Sequence, residues 1–562
     1  MTKKIQNLFI YFIIFLLLFA WWSSLTIGLS TDEYFHHING LKRYNFLVSF
    51  GEDKNFNFGN NRLYPGLYDT LSYALSQIIL MINKDFYVSN IDFVMHLINV
   101  SFSSLSILGL YIFAKKIFNK NIAIISVFLT LANPFFFGHM GMNPKDIIIF
   151  FSLIWSSYYF YLYFTDGEKM RNLIFASVFV GFGCGVRLPF LLLIFPVIFL
   201  GLIFSINKSK PEYFKFIKKI IGHFFISLFI ILILVILCWP HLIVAIQNGN
   251  FIDFFITNIY DSINFHGPRT GLIDGKYYEI FNTPKSYFLS IIFYRFPLYY
   301  TLCILISYFL FFSKDFFNKN NVEKIKIKFF IINLIIFFPI SITIVLGIGI
   351  YDNIRLFLFI IPFLSIIASF SLVYFFKILK NSWESKVIIF FISVLFTIFF
   401  YRFILLTPYQ YDYVNYYTPK FKNIQYKWEH DYWGTSYKEL ISNIKNNYNE
   451  EEIKNLKLLN CVGDETLLYY LSKKLGINKL VRRDKIHEAN YVILINRASL
   501  KIYNNPNLKD LVREDGSILV EDLDKIVRTP GVKSTCNKQY PGEDIVVVSR
   551  NGVILSVLRK LK

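Results

Sequence analysis

The sequence predicts a polytopic α-helical membrane protein with a separate soluble region at its C-terminal end. Only 17% of its 562 residues are charged and 55% are hydrophobic, whereas a soluble domain carries about 25% charged residues. Uncharged stretches long enough to cross a bilayer recur from Leu8 to about Leu406. Beyond Thr407 the chain becomes polar and charged. This composition excludes an ordinary soluble globular protein, a disordered chain and a coiled coil.

The apolar runs predict about eleven transmembrane helices, because each run approaches the roughly 20 residues that a spanning helix needs. The predicted spans are 7–29, 92–114, 121–138, 147–164, 173–186, 188–206, 220–238, 287–312, 329–348, 356–376 and 387–406. Arg187 separates the fifth span from the sixth, which predicts either a tight hairpin of two short helices or one long bent helix. The stretch 66–82 contains Asp69 and Gln77, and we expect it to lie in the membrane interface as an amphipathic helix.

The positive charges orient these helices. Lysines are concentrated in the N-terminal segment and in alternate loops, at Lys3, Lys4, Lys115, Lys116, Lys208, Lys210, Lys218, Lys219, Lys324, Lys326 and Lys328. Such segments are cytoplasmic by the positive-inside rule, so the N-terminus is predicted inside and the C-terminal region outside. The segments 30–91 and 239–286 then become long outer loops. Most of the net charge of +20 is explained as topological anchoring and not as a nucleic-acid surface.

Residues 1–406 form the predicted membrane domain and residues 407–562 an extracytoplasmic α/β domain. Alternating apolar residues predict strands at 456–462 and 491–496 and a final hairpin from 544–548 and 553–557, with a helix at 465–475. A twelfth spanning helix would reverse the side of everything downstream of it. No catalytic motif is visible in the C-terminal domain, so the candidate chemistry lies in the membrane domain.

Ionisable residues beside the membrane collect at helix ends on the predicted outer face. Asp32 and Glu33 follow the first span directly. Two adjacent carboxylates next to a bilayer suit a base that deprotonates a hydroxyl, because partial burial raises one pKa toward the working range. The alternative interpretation is a solvated helix end.

A second group, His139, Lys145 and Asp146, lies between the third and fourth spans. Asn143 and Pro144 predict a turn there. Lys145 and Asp146 would stand at the entry of the next helix, where the helix dipole and a lysine together favour an anion. Capping by Asn143 or Asp146, with Lys145 among lipid headgroups, is the alternative.

Three arginines complete the candidate site. Arg187 interrupts an apolar stretch, where an arginine is costly in lipid and a functional or internal partner is expected. Asp352 and Arg355 stand in a loop so short that both must lie at the membrane surface, although a local ion pair would also explain them. Arg269 lies in the turn-rich loop 239–286, which is predicted either to cover a site or to be merely solvated.

Together these loops supply a carboxylate base and several cations on one side of a membrane, as a lipid-linked phosphate substrate requires. Arginine and lysine hold a phosphate and stabilise the charge that builds on it as a leaving group. Because such a leaving group needs no proton, one base suffices. His36, His37 and His139 offer metal ligands beside Asp32, but no spacing is diagnostic. We therefore expect no metal and no cofactor beyond the lipid-linked donor.

These features resemble the GT-C superfamily of integral-membrane glycosyltransferases. The Asp32-Glu33 pair in the first outer loop, the many helices and the soluble C-terminal region are similar to family 39, which contains protein O-mannosyltransferases, lipid A aminoarabinose transferases and related bacterial proteins. The segments Asn143-Pro144-Lys145-Asp146 and Tyr351-Asp352-Asn353-Ile354-Arg355 also look like elements of the bacterial subgroup. The resemblance covers about residues 1–406, and the C-terminal region lacks the β-trefoil repeat of the eukaryotic enzymes.

The resemblance implies inverting transfer of a monosaccharide from a polyprenyl-phosphate donor to a hydroxyl of a glycan, lipid or protein, at the outer face of a bacterial inner membrane. Asp32 matches the position of the base, and Glu33 that of the neighbour that orients the acceptor. Lys145, Arg187 and Arg355 are our candidates for the donor phosphate. The alternative is a transporter or flippase of a lipid-linked sugar, which would place charges near the bilayer midplane and repeat its halves. The chain shows neither feature clearly, and it leaves the sugar and the acceptor open.

Overall fold

A computed structural model of the protein describes residues 1–59, 61–208, 213–263, 270–279, 282–312, 322–350, 352–378, 383–415, 427–460, 464–497, 513–515, 517–519 and 540–562. Up to residue 405 the chain is almost entirely helical. The helices are α1 (Lys3–Thr26), α2 (Thr31–Val48), α3 (Leu67–Ile82), α4 (Lys84–Ser89), α5 (Ile91–Ile117), α6 (Lys120–Leu131), α7 (Pro134–His139), α8 (Asp146–Thr165), α9 (Met170–Val186), α10 (Phe190–Lys208), α11 (Tyr213–Leu237), α12 (Pro240–Gln247), α13 (Phe251–Ile263), α14 (Tyr287–Arg295), α15 (Leu298–Phe312), α16 (Val322–Leu346), α17 (Ile361–Ile378) and α18 (Trp383–Leu405).

Seven helical stretches within the described ranges are long and apolar enough to cross a membrane. They contain α1, α5, α8, α11, α16, α17 and α18. Shorter apolar helices, α3, α6, α9, α10 and α15, accompany them. The predicted class of a multi-pass helical membrane protein is confirmed, whereas the number of eleven spans stays a prediction.

Polar residues and prolines divide three of the predicted apolar runs. Asn133 ends the run 121–138 early, because its side chain accepts hydrogen bonds from the first backbone N–H groups of α7. The run 287–312 is divided into α14 and α15 at Pro297, which cannot continue the hydrogen-bond ladder of a helix. At Arg187 the backbone is extended, and α9 and α10 are two separate helices instead of one long bent helix.

The segment 30–91 is an ordered layer built from α2, α3 and α4. A buried polar network joins α2 to α3. The Asp69 carboxylate lies 3.0 Å from His36 Nδ1 and accepts a hydrogen bond of 2.7 Å from Asn39 Nδ2. Asn39 Oδ1 in turn accepts a hydrogen bond from Arg43 Nε at 3.1 Å. Because each buried charge has a partner, the network fixes how α2 lies on its neighbour.

The C-terminal region contains the predicted α/β unit. It adds α19 (Tyr437–Asn447), α20 (Glu450–Lys454) and α21 (Asp464–Leu475). A four-stranded sheet has the order β3-β4-β7-β6, with β3 (Leu458–Asn460) parallel to β4 (Tyr491–Ile495) and the hairpin of β6 (Gly542–Arg550) and β7 (Val553–Leu561) antiparallel. The predicted strands, helix and hairpin are confirmed within a few residues.

The loop 239–286 is connected to the C-terminal region through a second sheet. Its hairpin of β1 (Thr270–Ile273) and β2 (Lys276–Glu279) pairs antiparallel with β5 (Ser517–Leu519). These backbone hydrogen bonds hold the hairpin of the loop against β5 of the C-terminal region.

The C-terminal region also packs directly on the connection between α1 and α2. The Leu29 N–H donates to the Tyr470 hydroxyl at 2.8 Å, and the Thr31 N–H donates to the Trp433 carbonyl at 2.8 Å. Lys438 Nζ lies 2.9 Å from Asp92 at the start of α5. These contacts place the C-terminal region over the first turn of α2.

Gly28 provides a test of this contact. A Cβ atom at Gly28 would lie 2.3 Å from the Thr435 carbonyl oxygen, so Gly28→Ala forces the two segments apart. We expect a loss of about 1–3 kcal/mol of stability, measured as a lower midpoint of thermal unfolding in detergent. The control is Gly222→Ala, whose added Cβ would meet no atom within 4 Å. Equal midpoints for the two variants would contradict the close approach.

Candidate active site

The first turn of α2 carries Asp32 and Glu33. Ser30 stands at the N-cap, and its backbone N–H donates to Glu33 Oε2 at 2.7 Å, which is one half of a capping box. Acidic side chains at this position also interact favourably with the helix dipole. The sequence therefore begins a new helix here and fixes the direction of both carboxylates.

The two carboxylates have different surroundings. Asp32 is 32% exposed, whereas Glu33 is 1% exposed. Besides the Ser30 N–H, Glu33 has His96 as a neighbour, with Nε2 of the imidazole 3.2 Å from the carboxylate. Asp32 is thus the more accessible of the two carboxylates, and Glu33 holds the helix turn on which Asp32 stands.

Arg355 is a buried cation that pairs with Asp32. Its guanidinium is only 3% exposed and lies 3.1 Å from Asp32, 3.1 Å from Asp352 and 3.8 Å from Asp146. The Trp433 ring covers its face, with the guanidinium carbon 4.5 Å from the ring centroid. A planar guanidinium can serve several carboxylates at once because its donors point in different directions.

Asp146, at the start of α8, and Arg187, at the end of α9, join the same cluster. Arg187 Nη2 lies 3.3 Å from Asp146 Oδ1. Asn143 accepts a hydrogen bond of 2.9 Å from the Asp146 N–H and donates one of 3.1 Å to its carboxylate. Asn143 thus accepts from the first N–H group of α8, as the capping interpretation predicts, and the carboxylate that it orients faces two arginines. The anion site at Lys145 stays a prediction.

Asp352 is held in an unusual backbone conformation. Asp352 and Asn353 have φ angles of +54° and +59°, in the left-handed region that non-glycine residues seldom adopt. The Tyr287 hydroxyl donates to the Asn353 carbonyl at 3.0 Å. Strain of this kind persists only where surrounding contacts fix the chain, and here it turns the Asp352 carboxylate toward Arg355.

Lys145 and His139, two further predicted site residues, have aromatic and backbone neighbours. Lys145 Nζ lies 4.3 Å from the centre of the Tyr64 ring. His139 is fully buried, 2.7 Å from the Phe135 carbonyl oxygen and 2.9 Å from the Tyr432 hydroxyl. Arg269 lies outside the described residues.

The cluster contains residues that sequence reasoning missed. Arg497 Nη2, from the end of β4, lies 3.4 Å from Asp352 Oδ1. His96 stands inside an apolar helix, and Trp433 in a loop of the C-terminal region. A histidine within a predicted span is an intramembrane ionisable residue, a signal that could have drawn attention to His96. No local pattern marks the other two.

His36 and His37, the two histidines of α2, have polar neighbours in the structure. His36 pairs with Asp69, and His37 Nε2 lies 3.3 Å from the Tyr87 hydroxyl. Among the residues that the structure describes, no group of three or more His, Cys, Asp or Glu side chains is arranged to hold a metal ion.

The loop that carries Trp433 contains a carboxyl with a shifted pKa. Burial raises the pKa of Asp431 to about 7, although Ser436 and Tyr411 donate hydrogen bonds to it. A raised pKa means that folding favours the protonated acid. Stability from this group is therefore fully present below its unfolded pKa of about 3.9 and is lost as the pH rises through about 7.

We expect Asp431→Asn to reduce this pH dependence. The midpoint of thermal unfolding of the wild-type protein should fall between pH 5 and pH 8 by more than that of the variant. Glu514→Gln removes an exposed carboxylate of the same region and serves as the control. A variant as pH-sensitive as the wild type would exclude this role of Asp431.

Part of the chain matches a known protein family. Residues 79–243 match the dolichyl-phosphate-mannose-protein mannosyltransferase family. This match confirms the predicted resemblance to the GT-C superfamily. The matched range contains Lys145, Asp146 and Arg187 of the candidate site, whereas Asp32 and Arg355 lie outside it. A search of curated proteins finds no match.

Solved structures that are similar to the chain include the following two. ArnT from Cupriavidus metallidurans, bound to undecaprenyl phosphate, is similar over 98% of this chain and 97% of its own, with 11% identity and a TM-score of 0.48. The oligosaccharyltransferase AglB from Archaeoglobus fulgidus, in complex with an inhibitory peptide and a dolichol-phosphate, is similar over 86% of this chain and 69% of its own, with 11% identity and a TM-score of 0.43. At these values neither similarity assigns an activity to this chain.

Proposed function

We propose that this protein is an inverting glycosyltransferase that moves a monosaccharide from a polyprenyl-phosphate donor to an acceptor hydroxyl at the outer face of the membrane. One observation carries the proposal. The accessible carboxylate of Asp32 lies 3.1 Å from the buried guanidinium of Arg355, beside the further ion pair of Asp146 with Arg187. A base next to fixed cations is what transfer from a phosphate leaving group requires.

The reaction is a single displacement. Asp32 removes the proton of the acceptor hydroxyl while the acceptor oxygen forms a bond to the anomeric carbon of the sugar. The bond from that carbon to the phosphate oxygen breaks on the opposite side, and its electron pair leaves with the polyprenyl phosphate. The configuration at the anomeric carbon is inverted, and the proton stays on Asp32 until it passes to solvent.

The cations stabilise the departing phosphate. Arg355 and Arg187 are two arginines of the cluster, and Lys145 stands at the start of α8, where the helix N-terminus also favours an anion. Glu33 acts as a positioning residue, since its contacts with Ser30 and His96 fix the turn that presents Asp32. Arg269 is proposed to approach the site from the loop 239–286.

The same proposal includes the location of the protein. The N-terminus is placed in the cytoplasm, with residues 1–406 in a bacterial inner membrane and residues 407–562 outside. The lysine-rich loops support this orientation. The acceptor then reaches Asp32 from the side that the C-terminal region covers.

The experiment is transfer of radiolabelled sugar from a panel of polyprenyl-phosphate monosaccharides, using membranes that contain the wild-type protein and membranes that lack it. Transfer that depends on the protein and on one donor supports the proposal and names the sugar. Movement of the labelled lipid across the bilayer without any transfer would instead identify a transporter. A lack of turnover with every donor and a panel of glycan, lipid and peptide acceptors would contradict the proposed class.

A further inference from the structure

Arg497 is one of the residues through which the C-terminal region contacts the candidate site. It follows β4 and is 15% exposed, and its guanidinium lies 3.4 Å from the Asp352 carboxylate. Other contacts hold the C-terminal region in place, among them Lys438 with Asp92 and the Tyr470 hydroxyl with the Leu29 N–H. Docking of this region therefore does not depend on Arg497.

Six charged side chains of the site form a continuous ion-pair chain, in which positive and negative charges alternate. Arg187 pairs with Asp146, which faces Arg355, and Arg355 also contacts Asp32 and Asp352. Arg497 ends the chain at Asp352. Three carboxylates and three guanidiniums give a formal charge of zero, and without Arg497 the same group would carry a charge of −1.

We propose that Arg497 is a positioning residue that completes this neutral chain, so that the C-terminal region sets the proton affinity of Asp32. Asp352 shares Arg355 with Asp32. When Arg497 neutralises Asp352, more of the field of Arg355 acts on Asp32. Loss of Arg497 makes the surroundings of Asp32 more negative, which favours its protonated form.

Other charged groups near the start of α2 also affect the protonation of Asp32, and they are the same in the wild type and in the Arg497 variants. The charged and titratable side chains around it are His36, His37, Glu33, Asp69, Asp92, His96, His139, Lys145, Asp146, Arg187, Asp352, Arg355, Lys438, Glu465 and Arg497. Substitution at Arg497 leaves all the others in place. The resulting shift therefore reports the one charge that is removed.

The test measures the protonation of Asp32 without using the enzymatic reaction. Carbodiimide attacks protonated carboxyl groups, and Asp32 is far more exposed than its buried neighbours Asp146 and Asp352. Labelling of Asp32 in the full-length detergent-solubilised protein, followed by mass spectrometry across a pH series, gives the pH of half-maximal labelling. In Arg497→Gln we expect this pH to rise by about 0.5 unit or more at low salt.

Three further variants make the result specific. Asp352→Asn removes a negative charge and should lower the half-labelling pH, and asparagine tolerates the left-handed backbone at this position. The double variant Asp352→Asn with Arg497→Gln should return close to the wild-type value, because the two charge changes cancel. Arg497→Lys keeps the charge and should also match the wild type. The control Lys479→Gln removes an exposed positive charge from the same region and should cause no shift.

The inference rests on the proposed function only where it treats Asp32 as the catalytic base. If sugar transfer is found, the acid limb of its pH–rate profile should move with the labelling midpoint in Arg497→Gln. A lower turnover with an unmoved midpoint would leave Arg497 a merely structural role and overturn the inference. A shifted midpoint in a protein that transfers no sugar would sustain the inference and reject the proposed function.

Discussion

Asp32→Asn should lower sugar transfer at least a thousandfold while leaving the protein folded. The amide has nearly the shape of the carboxylate, but it cannot accept the proton of the acceptor hydroxyl. General base catalysis contributes about 10²–10⁴-fold to a rate, and the variant also changes the charge next to Arg355. The loss should fall mainly on kcat, because binding of the lipid donor relies on the cations. The measurement is initial rates with the donor that the wild-type protein accepts.

Two further variants make this prediction specific to Asp32. Asp32→Glu keeps a carboxylate and should retain more activity than Asp32→Asn, since only its position changes. Glu52→Gln removes an exposed carboxylate from the same segment of the chain and should leave transfer unchanged. If Asp32→Asn keeps more than a tenth of the wild-type rate, Asp32 is not the base.

Several elements of the site could be predicted because their signals are local. A carboxylate pair directly after an apolar run and an arginine within an apolar stretch are visible without knowing what lies nearby. Both signals depend on the cost of charge beside lipid. These signals mark Asp32 and Arg187, the turn before α8 marks Asp146, and a short loop marks Asp352 and Arg355. The structure brings these five side chains together.

The remaining elements depend on contacts between distant parts of the chain. Arg497 meets Asp352 across 145 positions of sequence, and Trp433 reaches Arg355 from another loop of the C-terminal region. Neither residue differs locally from other arginines and tryptophans. The breaks in the predicted spans also depend on the folded structure. Asn133 can cap α7 only because the preceding helix, α6, has already ended.

Replacement of Arg355 should have the largest effect on stability. Arg355→Met keeps much of the side-chain volume but leaves Asp352 and Asp146 buried without this cation. Removal of one partner from a buried ion pair costs about 3–5 kcal/mol. Asp352 keeps Arg497 and Asp146 keeps Arg187 as partners, so each carboxylate loses part of its compensation and not all of it. We expect a much lower thermal midpoint in detergent and no sugar transfer.

The chain offers an exposed ion pair as the matched control. Arg62 is 62% exposed and lies 2.9 Å from Asp261, and an exposed pair of this kind contributes at most about 1 kcal/mol. Arg62→Met should therefore unfold close to the wild-type midpoint. Equal midpoints for the two methionine variants would show that the cluster around Arg355 is solvated, contrary to its burial here.

Two additional substitutions separate charge from geometry at Arg355. Arg355→Lys restores a positive charge but not the planar fork that reaches three carboxylates. We expect it to recover part of the stability while transfer stays low, because a single ammonium group cannot hold Asp32 and Asp352 in the same arrangement. Adding Asp352→Asn to Arg355→Met removes one of the two buried carboxylates that lose a partner and should raise the midpoint again. Additive effects of the two substitutions would mean that Arg355 and Asp352 act independently, which their separation of 3.1 Å does not predict.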